Sequence, residues 1–324
     1  MARATRPAQT TRRGEGTVRP VVAGIGLSHA DRLIYPELRI SKLDLAKYYE
    51  SIAQWILPHL RGRPLTLVHC PDGVAGACRY LRHAKAWGPT PLRRVNIQEK
   101  TKVGEYLVAE SISAVVALAQ MGIVEIHTWN STLEDLERPN RIVWDLDPGP
   151  HVPWESVVAA ARSLRDVLRT LQLRAWVKTT GGSGLHVVVP LRSSLDWTDC
   201  LAFSRAVAEA LEQADPARYT TAFRKSGRER KILIDYLRNN RTNTSICAYS
   251  PRARAGAVVS MPITWEGLRH EPGRWTLPTV QQRLRRAQLD PWADYWNRPQ
   301  QISRRSIEAL QGLSNSPLLA SSPA

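Results

Sequence analysis

The sequence has little of what membrane, secreted and zinc-binding proteins need. No apolar run reaches the roughly 20 residues of a membrane span, and the basic N-terminus has no apolar stretch behind it that would make a secretory signal. The four cysteines form no CxxC pair and no zinc-ligand spacing. We therefore expect buried free thiols in a reducing compartment at Cys70, Cys78, Cys200 and Cys247.

Acidic residues are also in short supply. The 29 Asp and Glu against 45 Lys and Arg leave a net charge of +16 on 324 residues. With 43% hydrophobic and 23% charged residues, the composition is globular and excludes global disorder. The excess charge is mostly Arg, which forks onto phosphate oxygens, and so favours a nucleic-acid partner. A solvated arginine-rich surface is the alternative; a membrane surface fits less well, since no basic amphipathic helix stands out.

Helical and strand patterns alternate along the chain and predict an α+β fold with hairpins as well as crossovers. The periodicity predicts helices at 43–57, 104–120, 153–171 and 196–213. It predicts strands at 64–70, 123–127, 141–147, 174–180, 185–191, 231–237 and 245–250. We expect a basic tail over 1–24, one domain over 25–300 and a Ser/Pro-rich tail over 301–324.

Two acidic residues end the predicted strand 141–147. Asp145 and Asp147 share one face of the strand, roughly 6–7 Å apart. Adjacent buried carboxylates need a cation, and a hard divalent ion prefers oxygen ligands. Most DxD sequences are surface turns, so the motif alone is weak evidence.

A third acidic residue, Asp235, lies inside the apolar run ILIDYL. A buried Asp needs a partner, either one of the many Arg residues or a metal ion. Strand carboxylates that converge on two cations are the arrangement of two-metal phosphoryl and nucleotidyl transfer.

A glycine-rich segment, KTTGGSGLH (178–186), joins two predicted strands. Its exposed N–H groups and hydroxyls suit phosphate binding, although an ordinary glycine-rich hairpin would have the same composition. It is not a P-loop, because the GxxxxGK[ST] order is absent. His186 faces either this loop or the core.

Three segments taken together, WDLDPGP (144–150), TTGGSGLHVVVPL (179–191) and ILIDYLRNNR…YSPRAR (232–254), resemble the polymerase domain of bacterial ligase D. That domain belongs to the archaeo-eukaryotic primase superfamily and works in non-homologous end joining. The resemblance covers about residues 25–300. It implies an α+β, primase-like catalytic core in which helices flank mixed and antiparallel sheets.

The resemblance also implies roles for individual residues. Catalytic metal-binding carboxylates would be Asp145, Asp147 and Asp235, with two Mn²⁺ or Mg²⁺ ions as cofactors. Nucleotide-binding residues would be His127, Thr180, Gly181, Gly182, Ser183, His186, Arg228 and Arg252. Arg32 and Lys42 would bind the 5′-phosphate of a broken DNA end, and Tyr80 would stack on a template base.

The sequence departs from the family pattern at four of its positions. Arg32 stands where Lys is commoner, and Tyr80 where Phe is usual. Ser183 replaces a Lys found in some members, and His69 occupies a position where Arg is usual. These changes affect the 5′-phosphate and template contacts more than the chemistry, because the three carboxylates are all present.

The resemblance implies template-directed nucleotidyl transfer that fills gaps or extends 3′ ends at double-strand breaks. The implied partners are DNA ends with template and primer strands, nucleoside triphosphates, a DNA ligase and a Ku-type protein, in a bacterial cytoplasm at the nucleoid. A de novo primase, a non-catalytic DNA-end-binding module and a metal-dependent nuclease are the alternatives. No KxDG ligase motif is present, so we expect a free-standing polymerase or a piece of a larger enzyme.

Overall fold

The computed structural model describes residues 19–84, 91–224, 226–286 and 290–314. The predicted helix 43–57 is two helices, which meet at Ile52. Among the described residues, no helix is long and apolar enough to cross a bilayer. The α-helices are α1 (Lys42–Ser51), α2 (Ala53–Leu60), α3 (Ile112–Gln120), α4 (Trp154–Thr170), α5 (Trp197–Ala214), α6 (Leu277–Arg286) and α7 (Arg304–Ser314).

Strands make up most of the other regular structure in the described residues, together with five short 3₁₀ helices. All seven predicted strands are present, most of them shorter than predicted. The strands are β1 (Val21–Val22), β2 (Ile25–Gly26), β3 (Leu33–Tyr35), β4 (Ile40–Ser41), β5 (Leu65–His69), β6 (Arg79–Leu81), β7 (Arg93–Gln98), β8 (Val103–Val108), β9 (Ile123–Thr128), β10 (Arg141–Pro148), β11 (Trp176–Thr179), β12 (Leu185–Pro190), β13 (Tyr219–Thr220), β14 (Ile232–Asp235), β15 (Ser245–Ile246) and β16 (Pro262–Ile263).

The prediction of one helix over 104–120 is wrong. Its first half is strand β8, which pairs antiparallel with β7 from Arg93↔Val108 to Gln98↔Val103. Helix α3 begins only after Ser111, whose side chain accepts a hydrogen bond from the Ala114 N–H as an N-cap. A continuous apolar run does not distinguish a buried strand from a helix, and here pairing with β7 decides.

A six-stranded sheet in the order β13-β14-β10-β12-β11-β16 forms the centre of the fold. Only the pair β13/β14 is parallel. Helices α4 and α5 cover one face, where the Trp144 indole Nε1–H donates to the Ser204 carbonyl at 2.9 Å. Because side chains alternate along β10, Asp145 and Asp147 project from the opposite face.

A second, four-stranded sheet has the order β15-β9-β5-β6. Its residues Tyr80 and His127 line one cavity with Asp145 and Asp147 of that opposite face. Helix α3 packs on β9 and on α1. Three buried tyrosines of the N-terminal part tie these layers to later segments through their hydroxyls: Tyr35 to the Arg252 carbonyl, Tyr48 to Tyr249 and Tyr49 to Val124.

The expectation of four free thiols is wrong for two of the cysteines. Cys70 and Cys78 form a disulfide with their Cα atoms 4.4 Å apart. The cause is the β5–β6 hairpin, where His69 lies opposite Arg79 and so brings the two adjacent cysteines together. Cys200 and Cys247 are free and buried, as expected.

The predicted tails are described only in part. Residues 1–18 and 315–324 lie outside the described residues, and helix α7 lies within the range 301–324 and packs on α5. The Ser306 hydroxyl donates to the Leu171 carbonyl at 2.9 Å. The boundaries at 25 and 300 stay a prediction.

Candidate active site

Four polar side chains form a row across the six-stranded sheet. Asp235 on β14 lies opposite Asp145 on β10, which lies opposite His186 on β12, which lies opposite Lys178 on β11. Directly opposed residues share a face, and neighbouring strands are about 4.8 Å apart. Asp147 follows two residues later on that face. The structure therefore brings the three predicted carboxylates and His186 together.

Two arginines lie among the carboxylates. Arg238 contacts Asp145 Oδ2 through Nη2 at 3.2 Å and Asp235 Oδ2 through Nε at 3.1 Å. Arg228 contacts Asp147 Oδ2 through Nη2 at 3.1 Å. The buried, adjacent carboxylates of Asp145 and Asp235 need a compensating positive charge, and the Arg238 guanidinium supplies it.

The pKa values of the two buried carboxylates, Asp145 and Asp235, shift in opposite directions. Burial raises the pKa of Asp145, but His186, Arg238 and Lys178 outweigh it and hold that pKa well below its usual range. Burial also raises the pKa of Asp235, and the neighbouring charge of Asp145 raises it further against the opposing effect of Arg238. The Arg238 guanidinium bridges the two carboxylates, so one cationic group already lies between them.

Burial determines the state of the two bases in the row. It lowers the pKa of His186 to about 4, with a further contribution from Lys178, so the imidazole is neutral at pH 7. It lowers the pKa of Lys178 to about 7, and the Lys178 Nζ donates to the Ser260 hydroxyl at 2.6 Å.

The glycine-rich loop follows β11 and closes on itself. Thr180 N–H donates to the Gly184 carbonyl at 3.1 Å, and Gly182 N–H donates to the Thr180 hydroxyl at 3.2 Å. Gly181 has φ +71°, and a Cβ there would lie 2.6 Å from Cγ of Arg252. Only glycine allows both this backbone conformation and this approach.

A buried carboxylate on β9 holds two of the predicted nucleotide-binding residues. Glu125 Oε2 lies 2.8 Å from His127 Nε2, while Glu125 Oε1 accepts from Arg252 Nε at 3.0 Å and from the Ala253 N–H at 2.8 Å. Burial alone raises the pKa of Glu125, but the hydrogen bond from His127 and the Arg252 charge lower it to about 2. Burial lowers the pKa of His127, partly offset by Glu125.

Part of this set of residues lines a cavity of about 460 Å³, to which strands of both sheets contribute. Among the described residues, no three His, Cys, Asp or Glu side chains are arranged as a ready metal site. Arginines contact all three of the predicted carboxylates. The lining residues are Tyr80, His127, Asp145, Asp147, Thr180, Gly182, Ser183, Gly184, His186, Arg238, Thr244, Ser245, Ile246, Arg252 and Arg254.

Most of the predicted site residues belong to this cavity or contact its walls. Three other predicted residues contact side chains that line the cavity. Asp235 pairs with Arg238, Gly181 lies against Arg252, and Arg228 pairs with Asp147. Tyr80 is 70% exposed, and its ring centroid lies 6.0 Å from that of His127.

Arg32 and Lys42 do not line the cavity. Lys42 is buried at the start of α1, and its Nζ donates to the carbonyls of Ser28 and Gln120 at 3.0 and 3.1 Å. Burial lowers the pKa of Lys42, and the charge of Arg32 lowers it further. The Arg32 Nη1 donates to the Pro71 carbonyl at 2.7 Å.

Sequence reasoning missed four charged residues of the site, namely Lys178, Glu125, Arg238 and Arg254. Alternation along the strands could have found two of them, because Glu125 and Lys178 lie two residues from His127 and Thr180 respectively. Nothing local distinguishes Arg238 and Arg254 from the other arginines.

A solved structure shares this fold: the polymerase domain from Mycobacterium tuberculosis ligase D, in complex with DNA, superimposes with a TM-score of 0.78 at 28% identity, over 84% of this chain and 97% of that one. Fold and site together define a primase-polymerase, a class of nucleotidyltransferase. The family model described as "LigD, primase-polymerase domain" matches residues 41–292. The chain therefore belongs to the LigD primase-polymerase domain family.

Curated relatives agree with this assignment. The multifunctional non-homologous end joining protein LigD of Pseudomonas aeruginosa is 39% identical over 291 residues, which cover 89% of this chain and 35% of that protein. The protein of the same name from Mycolicibacterium smegmatis is 33% identical over 244 residues, covering 75% of this chain and 32% of that protein. The chain thus spans about a third of the length of these relatives. Membership of the family implies divalent metal ions as cofactors.

Proposed function

We propose that this chain adds nucleotides to the 3′-hydroxyl of a DNA strand under the direction of a template, at broken ends repaired by non-homologous end joining. The observation that carries the proposal is the row in which Asp235 and Asp145 lie side by side, with Asp147 on the same face. Three carboxylates beside a glycine-rich loop in a basic cavity suit transfer of a nucleotide from a triphosphate.

In this proposal Asp145, Asp147 and Asp235 hold two divalent ions, Mn²⁺ or Mg²⁺. The donor set fits, because all the ligands are hard oxygens and Asp145 and Asp235 already share one cation, the Arg238 guanidinium. When bound, such ions lower the pKa of the attacking hydroxyl and neutralise the leaving group. An ion bound there would compete with the Arg238 guanidinium for oxygens of Asp145 and Asp235.

The nucleotide lies in this proposal against the loop and the β9 edge of the cavity. The triphosphate is bound by side chains and N–H groups that supply hydrogen bonds and positive charge, from His127, Thr180, Gly181, Gly182, Ser183, His186, Arg228 and Arg252. With its pKa near 4, His186 is neutral at pH 7 and acts by hydrogen bonding.

The DNA contacts follow from the resemblance and the charge. Tyr80, exposed at the cavity mouth, stacks on a template base. Arg32 and Lys42 bind a recessed 5′-phosphate, for which Lys42 keeps one of its three N–H donors. A Ku-type protein and a DNA ligase are the proposed partners, and residues 25–300 the proposed catalytic unit.

The test is primer extension by Asp145→Asn and Asp147→Asn on a gapped duplex with Mn²⁺ or Mg²⁺. Each variant should lose activity by a factor of about 10³ or more, because transition-state charge is no longer neutralised. DNA affinity, measured by fluorescence anisotropy, should stay within about twofold, since phosphate contacts dominate it.

The matched control is Asp166→Asn, which removes an exposed carboxylate of α4 that is ion-paired to two arginines far from the cavity residues. Its activity should equal that of the unmodified chain. Normal extension by both site variants would overturn the carboxylate assignment.

Three further comparisons separate the alternatives. Synthesis on an unprimed template would indicate a primase, and shortening of the primer would indicate a nuclease. DNA binding without extension, with or without metal, would indicate a non-catalytic module. Equal extension with and without a 5′-phosphate on the gap would reject the role given to Arg32 and Lys42.

A further inference from the structure

The segment that carries Arg252 presents a second arginine to the cavity. Arg254 has φ −149° and ψ 162°, so the chain there is extended and residues two apart face the same side. The segment is held on both sides, because the Arg252 carbonyl accepts from the Tyr35 hydroxyl at 2.8 Å and the Ala253 N–H donates to Glu125. Both arginines line the cavity.

The other arginines of the site are all matched by carboxylates. Arg228 pairs with Asp147, Arg238 with Asp145 and Asp235, and Arg252 with Glu125. In the described parts of the chain, Arg254 has neither a carboxylate nor a hydrogen-bond partner. Among the arginines that line the cavity in the described residues, Arg254 is therefore the one that no carboxylate pairs with.

The Arg254 guanidinium lies directly against the glycine-rich loop. A Cβ on Gly182 would be 2.8 Å from its Nη1, so the absence of a side chain at this position leaves room for the guanidinium. The next residue, Ser183, brings no charge to the loop. A phosphate seated on the loop would therefore meet Arg254 at its side.

We propose that Arg254 binds a phosphate of the nucleoside triphosphate and supplies the positive charge that the loop itself lacks. The inference rests on the proposed function, since it places the triphosphate on this loop. An unmatched guanidinium has two or more N–H groups free for phosphate oxygens and forms short, charge-assisted hydrogen bonds with them. A DNA-backbone phosphate would offer the same chemistry, and the loop contact favours the nucleotide.

The experiment measures binding of ATP, ADP and AMP to the full chain, by displacement of a fluorescent ATP analogue in the presence of Mg²⁺. Arg254→Gln should weaken ATP binding about tenfold or more and leave AMP within about twofold, because the lost contact is to the added phosphates. The control Arg286→Gln, an exposed arginine of α6, should leave all three affinities unchanged.

A second variant keeps the inference testable if Arg254→Gln alters the loop. Ser183→Lys in the Arg254→Gln background places an ammonium group on the same loop and should restore most of the preference for ATP over AMP. A further measurement is DNA affinity without nucleotide, which should be unchanged in Arg254→Gln.

Unchanged ATP affinity in Arg254→Gln overturns the inference, and so does an equal loss for ATP and AMP. Weaker DNA binding with unchanged ATP binding assigns Arg254 to the DNA backbone instead. If the unmodified chain does not prefer ATP to AMP, the proposed function itself fails, which is a different result from failure of Arg254 alone.

Discussion

At the scale of single residues, the site depends on side chains that hold other side chains. Glu125 fixes the positions of His127 and Arg252 with one buried carboxylate, and Arg238 does the same for Asp145 and Asp235. Removing one partner of such a group leaves the others buried without compensation, which costs more than the pair itself contributes.

Glu125→Gln should raise the nucleotide KM about tenfold with a smaller effect on kcat, because the amide leaves an N–H facing His127 or Arg252. Steady-state extension at varied nucleotide concentration measures this. The control is Glu99→Gln, which removes a similar contact to His83 Nε2 at 2.8 Å on the β7–β8 hairpin. An unchanged KM in Glu125→Gln would contradict the positioning role.

Stability should respond to pH through the same carboxylate. The pKa of Glu125 is about 2 in the folded chain against an ordinary 4.5, which corresponds to about 3 kcal/mol of stabilisation above pH 4.5. A depressed folded pKa means that this stabilisation is lost as pH falls from 4.5 toward 2. In urea unfolding, the stability difference between the unmodified chain and Glu125→Gln should therefore narrow by about 1 kcal/mol between pH 7 and pH 3.5. A constant difference would indicate an unshifted carboxyl group.

Arg238→Gln should tighten Mn²⁺ binding roughly tenfold, because the guanidinium no longer competes for Asp145 and Asp235. In EDTA the same variant should unfold at a lower temperature, since the two carboxylates then repel each other. Electron paramagnetic resonance of free Mn²⁺ measures the first effect and thermal unfolding the second. Weaker Mn²⁺ binding would show instead that Arg238 supports the metal site.

The sequence predicts a site residue where its immediate neighbours form a recognisable pattern. A strand that ends in DLD and an Asp inside ILID indicate, by their apolar neighbours alone, carboxylates that need partners. Glu125 could be found only by strand alternation from His127, because its partner Arg252 lies 127 residues away. No local pattern distinguishes Arg238 or Arg254 from the other arginines.

At the scale of elements, the β5–β6 hairpin links the proposed template and 5′-phosphate contacts. Its loop packs on β3, where a Cβ on Gly73 would lie 2.6 Å from the Leu33 carbonyl oxygen, and Pro71 accepts from Arg32. Tyr80 follows two residues after the disulfide. The Cys70–Cys78 bond therefore constrains both ends of this loop.

Cys78→Ser should lower the free energy of unfolding by about 2.5 kcal/mol, the loop-closure value for a separation of 8 residues. It should also reduce templated extension more than nucleotide affinity, because Tyr80 is then less well positioned. Thermal unfolding and extension assays with and without dithiothreitol measure both effects. Dithiothreitol should bring the unmodified chain to the level of the variant and leave the variant unchanged. Insensitivity of the unmodified chain would reject the role of the disulfide.

The strands that carry the site could be predicted from β-rich runs such as RIVWDLD and LHVVVPL. The failure over 104–120 has a physical cause: β8 is a strand because β7 pairs with it, and no local period reports such a pairing. The disulfide was not predicted for the same reason, because the register of the β5–β6 hairpin decides which cysteines lie close together.

At the scale of the whole molecule, two sheets enclose the cavity and the chain carries a net charge of +16. Such an excess acts on any polyanion without regard to sequence. The chain spans about a third of the length of its curated relatives. Its cooperation with a DNA ligase is therefore part of the proposed function.

DNA binding should therefore be steeply salt-dependent and nearly independent of base sequence. If six or more phosphates are contacted, affinity should fall by roughly 10³ or more between 50 and 200 mM salt. Anisotropy titrations with two unrelated duplexes measure both properties, and Asp147→Asn should give the same slope. DNA affinity that does not change with salt concentration would mean that the excess positive charge faces solvent and does not contact DNA phosphates.

The four residues of the row Asp235–Asp145–His186–Lys178 lie directly opposite one another on neighbouring strands. Main-chain hydrogen bonding therefore sets its spacing, whatever the length of the connections between strands. Insertions in those connections should be tolerated during divergence, whereas one added residue inside β10 would turn Asp147 toward the helices. Within this family, homologues should accordingly vary in loop length while the interval between the two aspartates of β10 stays constant.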